Sequence, residues 1–200
     1  MPLKKYQGKR KFDQTSEPKD NSLANEKKIY PVKSCNKIPM DIGRFNGVKS
    51  FVVHKHQSSH LHYDFRLEMN GVLKSWAIPK GIPEKQGIKH LAIQVEDHPI
   101  DYINFEGEIP EGNYGAGKVK IWDKGTYEII KQEINKITGE IKLIQIKLNG
   151  KKLKGKYVLI FYKQNQWLIQ KFIPRLSEYP ATWPTSPKQF QLRRLSHKNK

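Results

Sequence analysis

The sequence contains very little cysteine, with Cys35 the single one among its 200 residues. One thiol cannot form an internal disulfide or supply a cysteine-built zinc site, so we expect a reducing, cytosolic setting. The chain also lacks any run of about 18 apolar residues, the length that a membrane-spanning helix requires. The segment Met1–Arg10 has no apolar stretch of the kind found in signal peptides. We therefore expect a cytoplasmic protein without a membrane segment.

Acidic residues are scarce, since 19 Asp and Glu stand against 37 Lys and Arg, for a net charge of +18. This excess favours a polyanionic partner, nucleic acid before anionic membrane. The charge is uneven: residues 51–128 carry nine basic and eleven acidic side chains, whereas residues 129–173 carry ten basic and two acidic ones. A lysine-rich solvated surface is the plainer explanation. A basic frame that holds phosphates around an acidic, metal-binding centre accounts better for the asymmetry.

Both ends of the chain differ in composition from its middle. Residues 1–28 are polar, have no hydrophobic periodicity and look like a flexible arm. Residues 174–200 contain four prolines and end in a basic cluster, which is typical of a disordered basic tail. Between them, residues 29–173 contain enough apolar and aromatic residues for one domain.

Strand patterns dominate that domain, and helix patterns are weak. Short β-branched and aromatic segments recur about every 8–12 residues with turns between them, which predicts an all-β, mainly antiparallel barrel or sandwich. Asn70-Gly71 predicts a hairpin between two strands, and a short helix is expected around residues 99–105. The expected strands are Phe51–His56, Leu61–Glu68, Val72–Ile78, Leu91–Glu96, Lys118–Trp122, Thr126–Ile130, Ile141–Leu148, Lys156–Tyr162 and Trp167–Phe172.

The strand Leu61–Glu68 alternates strictly between apolar and polar residues. One face therefore carries Leu61, Tyr63, Phe65 and Leu67, and the other carries His62, Asp64, Arg66 and Glu68. His62 and Asp64 on one face have Cα atoms about 6.5–7 Å apart, so both can reach one metal ion. His56, at the end of the preceding strand, can complete a three-ligand site with open positions, which is typical of catalytic metals. A solvated strand face is the alternative, and this donor set suits Mn, Fe, Co or Zn.

Further side chains of interest surround this strand. His98 ends a strand and can serve as a metal ligand, a general acid or a hydrogen-bond donor to a phosphate. The alternative is a turn histidine whose hydrogen bonds are all made within the fold. Tyr102 follows four residues later. Arg66 and Lys80 are cations that would offset charge on a phosphoryl group. The glycine-rich segment Glu108–Gly117 is not a P-loop, because no Gly-Lys-Ser/Thr follows, and it predicts a tight bend between strands.

Several separated motifs stand out along the chain: His56–Glu68 (HQSSHLHYDFRLE), Lys74–Gly81 (KSWAIPKG), Val95–Tyr102 (VEDHPIDY) and Phe105–Gly117 (FEGEIPEGNYGAG). In order and spacing, these motifs resemble the 3′-phosphoesterase domain of bacterial and archaeal DNA ligase D. The resemblance covers roughly residues 4–172 and includes the opening segment Tyr6–Pro18.

The resemblance implies a small closed or nearly closed β-barrel with a crescent-shaped groove and few short helices. It also implies Mn²⁺, with Co²⁺ or another divalent metal as a possibility, and removal of 3′-ribonucleosides and 3′-phosphates to leave a 3′-OH. His56, His62 and Asp64 would be metal ligands, and Arg66, Lys80, His98 and Tyr102 would surround the scissile phosphate. Arg10 and Glu17 fall where the family's arm joins the site, so part of residues 1–28 is expected to be ordered over it.

The resemblance also implies partners and a cellular role. The expected substrates are 3′ ends of DNA or DNA/RNA primer-templates, in non-homologous end joining, near the nucleoid. A separate ligase, a polymerase and a Ku-type end-binding protein are candidate partners of a monomeric, stand-alone domain. Two residues depart from the family pattern: Lys11 replaces an expected acidic residue, which bears on the phosphodiesterase step, and His54 replaces the usual glutamine, which bears on the surroundings of the metal.

Two other hypotheses are kept. His62, Asp64 and His98 also match the pattern of a two-histidine-one-carboxylate iron oxygenase, although the basic charge argues against it. Alternatively, the chain is a catalytically silent module that binds nucleic acid through its basic ends and recruits repair partners.

Overall fold

The computed structural model describes residues 3–19 and 49–172. Cys35, the region 20–48 and the predicted tail 174–200 lie outside the described residues. The arm begins with helix α1 (Lys4–Gly8), and a 3₁₀ helix covers Ile100–Asn104. The strands are β1 (Lys49–Gln57), β2 (Leu61–Met69), β3 (Val72–Ile78), β4 (Lys89–Gln94), β5 (Gly107–Ile109), β6 (Gly117–Ile134), β7 (Ile141–Gly150), β8 (Lys154–Lys163) and β9 (Gln166–Lys171).

Eight of the strands close into a barrel in which every neighbouring pair is antiparallel. The order around the barrel is β1-β2-β3-β4-β9-β8-β7-β6, and β6 returns to pair with β1. The short strand β5 pairs only with the beginning of β6. This arrangement confirms the predicted all-β antiparallel barrel and the short helix near residue 100. No helix within the described parts of the chain is long and apolar enough to cross a membrane.

Strand β6 differs from the prediction, which placed a turn at Asp123–Gly125 between two strands. The structure has one continuous strand, so that prediction was wrong. The buried Asp123 carboxylate accepts hydrogen bonds from the backbone amides of Lys151 at 2.9 Å and Leu153 at 2.8 Å. Gly125 packs on the Asn149 backbone so closely that a Cβ would collide with it. Asp123 and Gly125 therefore do not end the strand. They hold β6 against the end of β7 and the β7–β8 turn.

The barrel interior contains the main hydrophobic core. Phe65 and Leu67 of β2 lie in it, as the alternating pattern predicts, whereas Leu61 at the strand end is 48% exposed. The interior is completed by apolar and aromatic side chains from the other strands, including Trp76, Ile146, Leu159 and Ile169. Because side chains alternate along a strand, His62, Asp64 and Arg66 lie on the other face of β2, outside the barrel.

A second apolar cluster covers that outer surface. Leu3 and Tyr6 of the arm pack with Val52 and Leu73 of the barrel and with Tyr102 of the 3₁₀ helix. Tyr6 is fully buried, and its hydroxyl donates to the carbonyl of Pro18 at 2.7 Å. As a result, Asp64 and Arg66 are 6% and 3% exposed, so this polar strand face is not solvated.

Candidate active site

The β1–β2 hairpin brings the three predicted metal ligands together. In its register His56 lies directly opposite His62, and Asp64 follows two residues later on the same face. His56 Nδ1 is 3.5 Å and His62 Nε2 is 3.6 Å from the two oxygens of Asp64. One donor atom from each residue lies within 4.8 Å of the others, so the group can hold a metal ion.

Backbone carbonyls select which nitrogen of each histidine faces this point. His56 Nε2 lies 2.9 Å from the Gly115 carbonyl, and His62 Nδ1 lies 2.9 Å from the His60 carbonyl. A carbonyl can only accept, so these nitrogens carry the protons. In the tautomer that a metal ligand requires, the other nitrogen of each ring then presents its lone pair towards Asp64. Such outer hydrogen bonds are the usual way in which proteins orient metal-binding imidazoles.

Asp64 is held ionised by its neighbours. Burial alone would raise the pKa of its carboxyl, but the positive charge of Arg66 outweighs burial and holds the pKa well below its usual range. Arg66 Nη2 donates to Asp64 Oδ2 at 2.9 Å. The carboxylate thus remains available as an anionic ligand throughout the ordinary pH range.

Arg66 is fixed on every side of its guanidinium. Its Nη1 donates to Ser75 Oγ at 2.9 Å, and its Nε donates to His54 Nδ1 at 3.3 Å. The Tyr102 ring lies 4.7 Å from its central carbon. Burial and the charge of Arg66 lower the pKa of His54 to about 3, so His54 is the neutral acceptor that this bond requires. The residue that departs from the family pattern therefore accepts from the arginine, and it lies directly opposite Asp64 in the β1–β2 register.

The arm adds a second arginine to the site. Arg10 Nη1 donates to Glu96, and Arg10 Nε donates to Glu17 at 3.3 Å. Glu17 also accepts a 3.1 Å hydrogen bond from the Tyr102 hydroxyl, behind the arginine. Because Glu96 belongs to the barrel and Arg10 to the arm, this buried ion pair joins the two parts of the molecule.

His98 lies between the two arginines but outside the metal group. Its Nδ1 donates to the Glu96 carbonyl at 2.9 Å, and its Nε2 faces Arg10 Nη2 at 3.2 Å and so acts as an acceptor. Burial and the charges of Arg66 and Arg10 hold its pKa well below the usual range. Among the described residues, the metal-type cluster contains His56 instead of His98. The ligand set required by the iron-oxygenase hypothesis is therefore not the one that the structure assembles.

A cavity of about 210 Å³ opens over these groups. The predicted residues that line it are Arg10, His56, His62, Asp64, Arg66, His98 and Tyr102. Glu17 lies behind its wall, whereas Lys80 is exposed and does not line it. Lys11 is likewise exposed on the arm and outside the lining.

Sequence reasoning missed three groups: Gly115 and Glu96, which line this cavity, and the Ser75 hydroxyl, which accepts from Arg66. Gly115 adopts a φ of +78°, a left-handed conformation that favours glycine, so the bend was predicted but its contact with His56 was not. Glu96 lies two residues before His98, so a strand pattern places both on the same face. That spacing was the one signal in the sequence that could have identified Glu96 as a site residue.

Comparisons with known proteins agree with this geometry. A family model described as the DNA ligase D 3′-phosphoesterase domain matches residues 54–161. The multifunctional non-homologous end joining DNA repair protein LigD of Mycobacterium tuberculosis H37Rv is 48% identical over 122 residues, which is 61% of this chain and 16% of that protein. LigD of Pseudomonas aeruginosa PAO1 is 41% identical over 174 residues, 85% of this chain and 18% of that protein.

A third relative, LigD of Mycolicibacterium smegmatis, is 41% identical over 143 residues, which is 70% of this chain and 19% of that protein. The chain thus spans less than a fifth of the length of each of these curated relatives. The family model covers more than half of the chain and includes the whole His-His-Asp group. The chain therefore belongs to the DNA ligase D 3′-phosphoesterase domain family.

Proposed function

We propose that the protein is a metal-dependent phosphoesterase that processes 3′ ends of DNA or RNA-tipped primers. It would remove a terminal ribonucleoside and then the remaining 3′-phosphate to leave a 3′-OH. The observation that carries this proposal is the convergence of His56 Nδ1, His62 Nε2 and an Asp64 oxygen beside the buried Arg66. A metal group next to a fixed cation suits a phosphate ester better than an uncharged substrate.

His56, His62 and Asp64 would hold the ion, for which we propose Mn²⁺. Two imidazoles and a carboxylate suit a first-row divalent metal, and Co²⁺ would fit the same donors. A bound divalent cation supplies Lewis-acid polarisation of a phosphoryl oxygen and a more acidic water nucleophile.

The remaining groups would position and stabilise the phosphate. Arg66 can direct its charge at the phosphoryl oxygens without moving, because Ser75 and His54 already fix its guanidinium. Arg10 would bring a second cation from the arm. Neutral His98 accepts from Arg10 at Nε2, which favours a role in orienting that arginine over a role as general acid. Tyr102 would shield Arg66 and hold Glu17, and exposed Lys80 would contact a phosphate farther from the metal.

We further propose that the protein acts in DNA end repair, at nucleoid DNA in the cytoplasm. The similar LigD proteins are named as multifunctional end-joining proteins, and this chain covers only a small part of each. A ligase, a polymerase and a Ku-type end-binding protein are therefore the partners we propose for it.

The direct test uses a 5′-labelled primer-template whose primer ends in one ribonucleotide or in a 3′-phosphate. We expect shortening to a 3′-OH end with Mn²⁺ and none with EDTA. An intact ribonucleotide-ended primer together with efficient removal of the 3′-phosphate would show that the diesterase step has separated from the monoesterase step, which tests the departure at Lys11. If normal DNA binding occurs without turnover under any divalent metal, the silent-module hypothesis is correct instead. Metal-dependent consumption of oxygen and 2-oxoglutarate would favour the oxygenase.

A further inference from the structure

A larger groove adjoins the metal-binding cavity on the outside of the barrel. It has a volume of about 920 Å³ and shares Val95, Glu96 and Tyr114 with that cavity. It follows the chain from Ile93 to Asp97 and also includes Gln164 and Asn165 in the β8–β9 turn. A polymer bound in this groove therefore lies next to the cavity that contains the His-His-Asp group.

The groove has an excess of positive charge. Four lysines line it, Lys4, Lys5, Lys9 and Lys74, against the two acids Glu96 and Asp97. Lys9 pairs with Glu96 at 2.9 Å and Lys74 pairs with Asp97 at 2.7 Å. Glu96 is also paired with Arg10. Lys4 and Lys5 have no ion-pair partner among the described residues, so their charges are available to a ligand.

An aromatic ring marks the junction between the groove and the cavity. Tyr114 is 50% exposed, and Lys9 Nζ lies 4.2 Å from its ring centroid. A basic track combined with an exposed ring is the arrangement by which proteins bind single-stranded nucleic acid, since phosphates follow the cations and bases stack on aromatics. A flat duplex-binding surface would not require the ring.

We propose that this groove binds the single-stranded segment that leads to the 3′ end, with Lys4 and Lys5 on its phosphates and Tyr114 against a base near the terminus. The inference rests on the proposed function and adds the path of the substrate strand. The arm then has two roles, because it supplies Arg10 to the cavity and Lys4 and Lys5 to the groove.

The length of the groove sets the number of nucleotides. Ile93 to Asp97 is four residue steps, or about 13 Å of extended chain at ~3.3 Å per residue. At ~3.4 Å per nucleotide, the rise of a strand whose bases stay stacked as in B-DNA, this corresponds to about four nucleotides. Substrates shorter than this segment would leave Lys4 and Lys5 without a phosphate.

A second pair of lysines provides a matched control on another surface. Lys147 of β7 and Lys156 of β8 lie directly opposite each other and are exposed. Their strand neighbours Ile146, Leu148 and Tyr157 point into the barrel core, so both lysines face outwards. Neither lysine lines the groove or the cavity.

The experiment compares Lys4→Glu/Lys5→Glu with Lys147→Glu/Lys156→Glu, which change the net charge equally. Substrates are 3′-phosphorylated oligothymidylates of two to twelve nucleotides with Mn²⁺. For the wild-type protein and the control pair, kcat/KM should rise with length up to about five nucleotides and then level off. The groove variant should lose most of this rise, with at least a tenfold lower kcat/KM on the longest strand and less than a threefold change on the shortest.

Binding measurements keep this proposal separate from the proposed activity. Fluorescence anisotropy of a labelled single strand with metal-free protein needs no turnover. The slope of log K against log salt should fall by about 1.4 in Lys4→Gln/Lys5→Gln, at ~0.7 per lost phosphate contact. Equal losses in the groove and control pairs, unchanged binding in the groove variants, or the same dependence for blunt duplex ends would overturn the proposal. If the wild-type protein shows no turnover but the groove variants still bind the single strand more weakly than the control pair, only the proposed function is refuted.

The groove variants also require a check that the arm remains docked. Glu is compatible with the first turn of a helix, so the double substitution is expected to leave α1 in place. Hydrogen exchange of residues 3–19 should match the wild-type pattern. If Lys4→Glu/Lys5→Glu loses that protection, the test uses Lys4→Gln/Lys5→Gln instead. Weaker strand binding by this variant, with the arm still protected, supports binding of the strand in the groove.

Discussion

The two sides of strand β2 are both buried, but by different means. Its inner side packs Phe65 and Leu67 into a core contributed by the barrel and its connections. Its outer side carries Asp64 and Arg66, which are buried beside Tyr6 from the arm and Tyr102 from the 3₁₀ segment. The inner layer needs only barrel closure, whereas the outer layer also needs residues more than 40 positions earlier in the chain. The site is therefore assembled on the side whose burial depends on a separate segment.

This contrast explains why charged groups are tolerated in the buried layer between the barrel and the arm. Buried charges are costly unless each one is paired and hydrogen-bonded. Asp64 pairs with Arg66, and Glu96 pairs with Arg10. The arm thus supplies one of the cations that makes burial of the site possible, as well as the apolar cover.

The largest expected effect comes from removing a metal ligand on the outer side. His62→Ala should reduce Mn²⁺-dependent cleavage of a 3′-phosphorylated primer by at least about a thousandfold, because two ligands remain and the ion is poorly held. Calorimetric titration with Mn²⁺ should show the matching loss of affinity. His60→Ala is the matched control, since that side chain is exposed and only its carbonyl contacts His62. Full activity in His62→Ala would exclude the ligand assignment.

The next effect is a difference in stability between the inner core of the barrel and the outer layer formed with the arm. Leu159→Ala in the inner core should lower the free energy of unfolding of the whole barrel by about 2–5 kcal/mol, as usual for a buried leucine. Tyr6→Ala should instead release the arm, with a change of less than about 1 kcal/mol in barrel unfolding. Urea denaturation measures the barrel, and limited trypsin cleavage after Lys9 and Arg10 measures the arm. A large drop in barrel stability in Tyr6→Ala would show that the layers are not separable.

The smallest effect concerns pH and the ion pairs that dock the arm. Burial would raise the pKa of Glu96, but hydrogen bonds from Arg10 and Lys9 lower it below its ordinary value of about 4.5. Since the folded pKa is the lower one, the stabilisation is complete above about pH 4.5 and is lost as pH falls through the folded pKa. Hydrogen exchange of residues 3–19, corrected for intrinsic rates, should show weaker protection in this acidic range.

Glu96→Gln is the control for this dependence. It cannot titrate, so the acid-induced step in arm protection should be absent, while the inner core amides of β8 should behave as in the wild-type protein. An identical acid step in wild-type and Glu96→Gln would assign the pH dependence to other carboxylates.

Much of the fold could be predicted because the signals of a strand, alternating apolar residues and flanking turn residues, are local in sequence. Alternation in Leu61–Glu68 and the Asn70-Gly71 turn located β2 and β3 closely, and the antiparallel class followed from strand spacing. The prediction failed at Asp123–Gly125, where turn-forming residues lie inside β6. There the polar side chain and the missing Cβ serve contacts with the β7–β8 region, and no local pattern encodes such contacts.

The candidate site was predictable to a similar extent. Residue types and strand parity placed His56, His62 and Asp64 near one another, and the family resemblance added Arg10 and Glu17. The Gly115 carbonyl that orients His56 lies 59 residues away in sequence, and Glu96 lies 86 residues from Arg10. Contacts at such separations depend on how the barrel closes and where the arm docks, so no motif revealed them.

By itself, the sequence determined most of the strands, the inward and outward faces of β2, and the presence of metal-type donors on the outward face. These follow from backbone alternation and side-chain chemistry, which are local properties. Only the tertiary structure decided that the outward face is buried, which histidine nitrogens face Asp64, and which lysines line a groove that reaches the site. Those features require segments distant in sequence to pack together, because solvent exclusion and hydrogen-bond partners are set by neighbours in space.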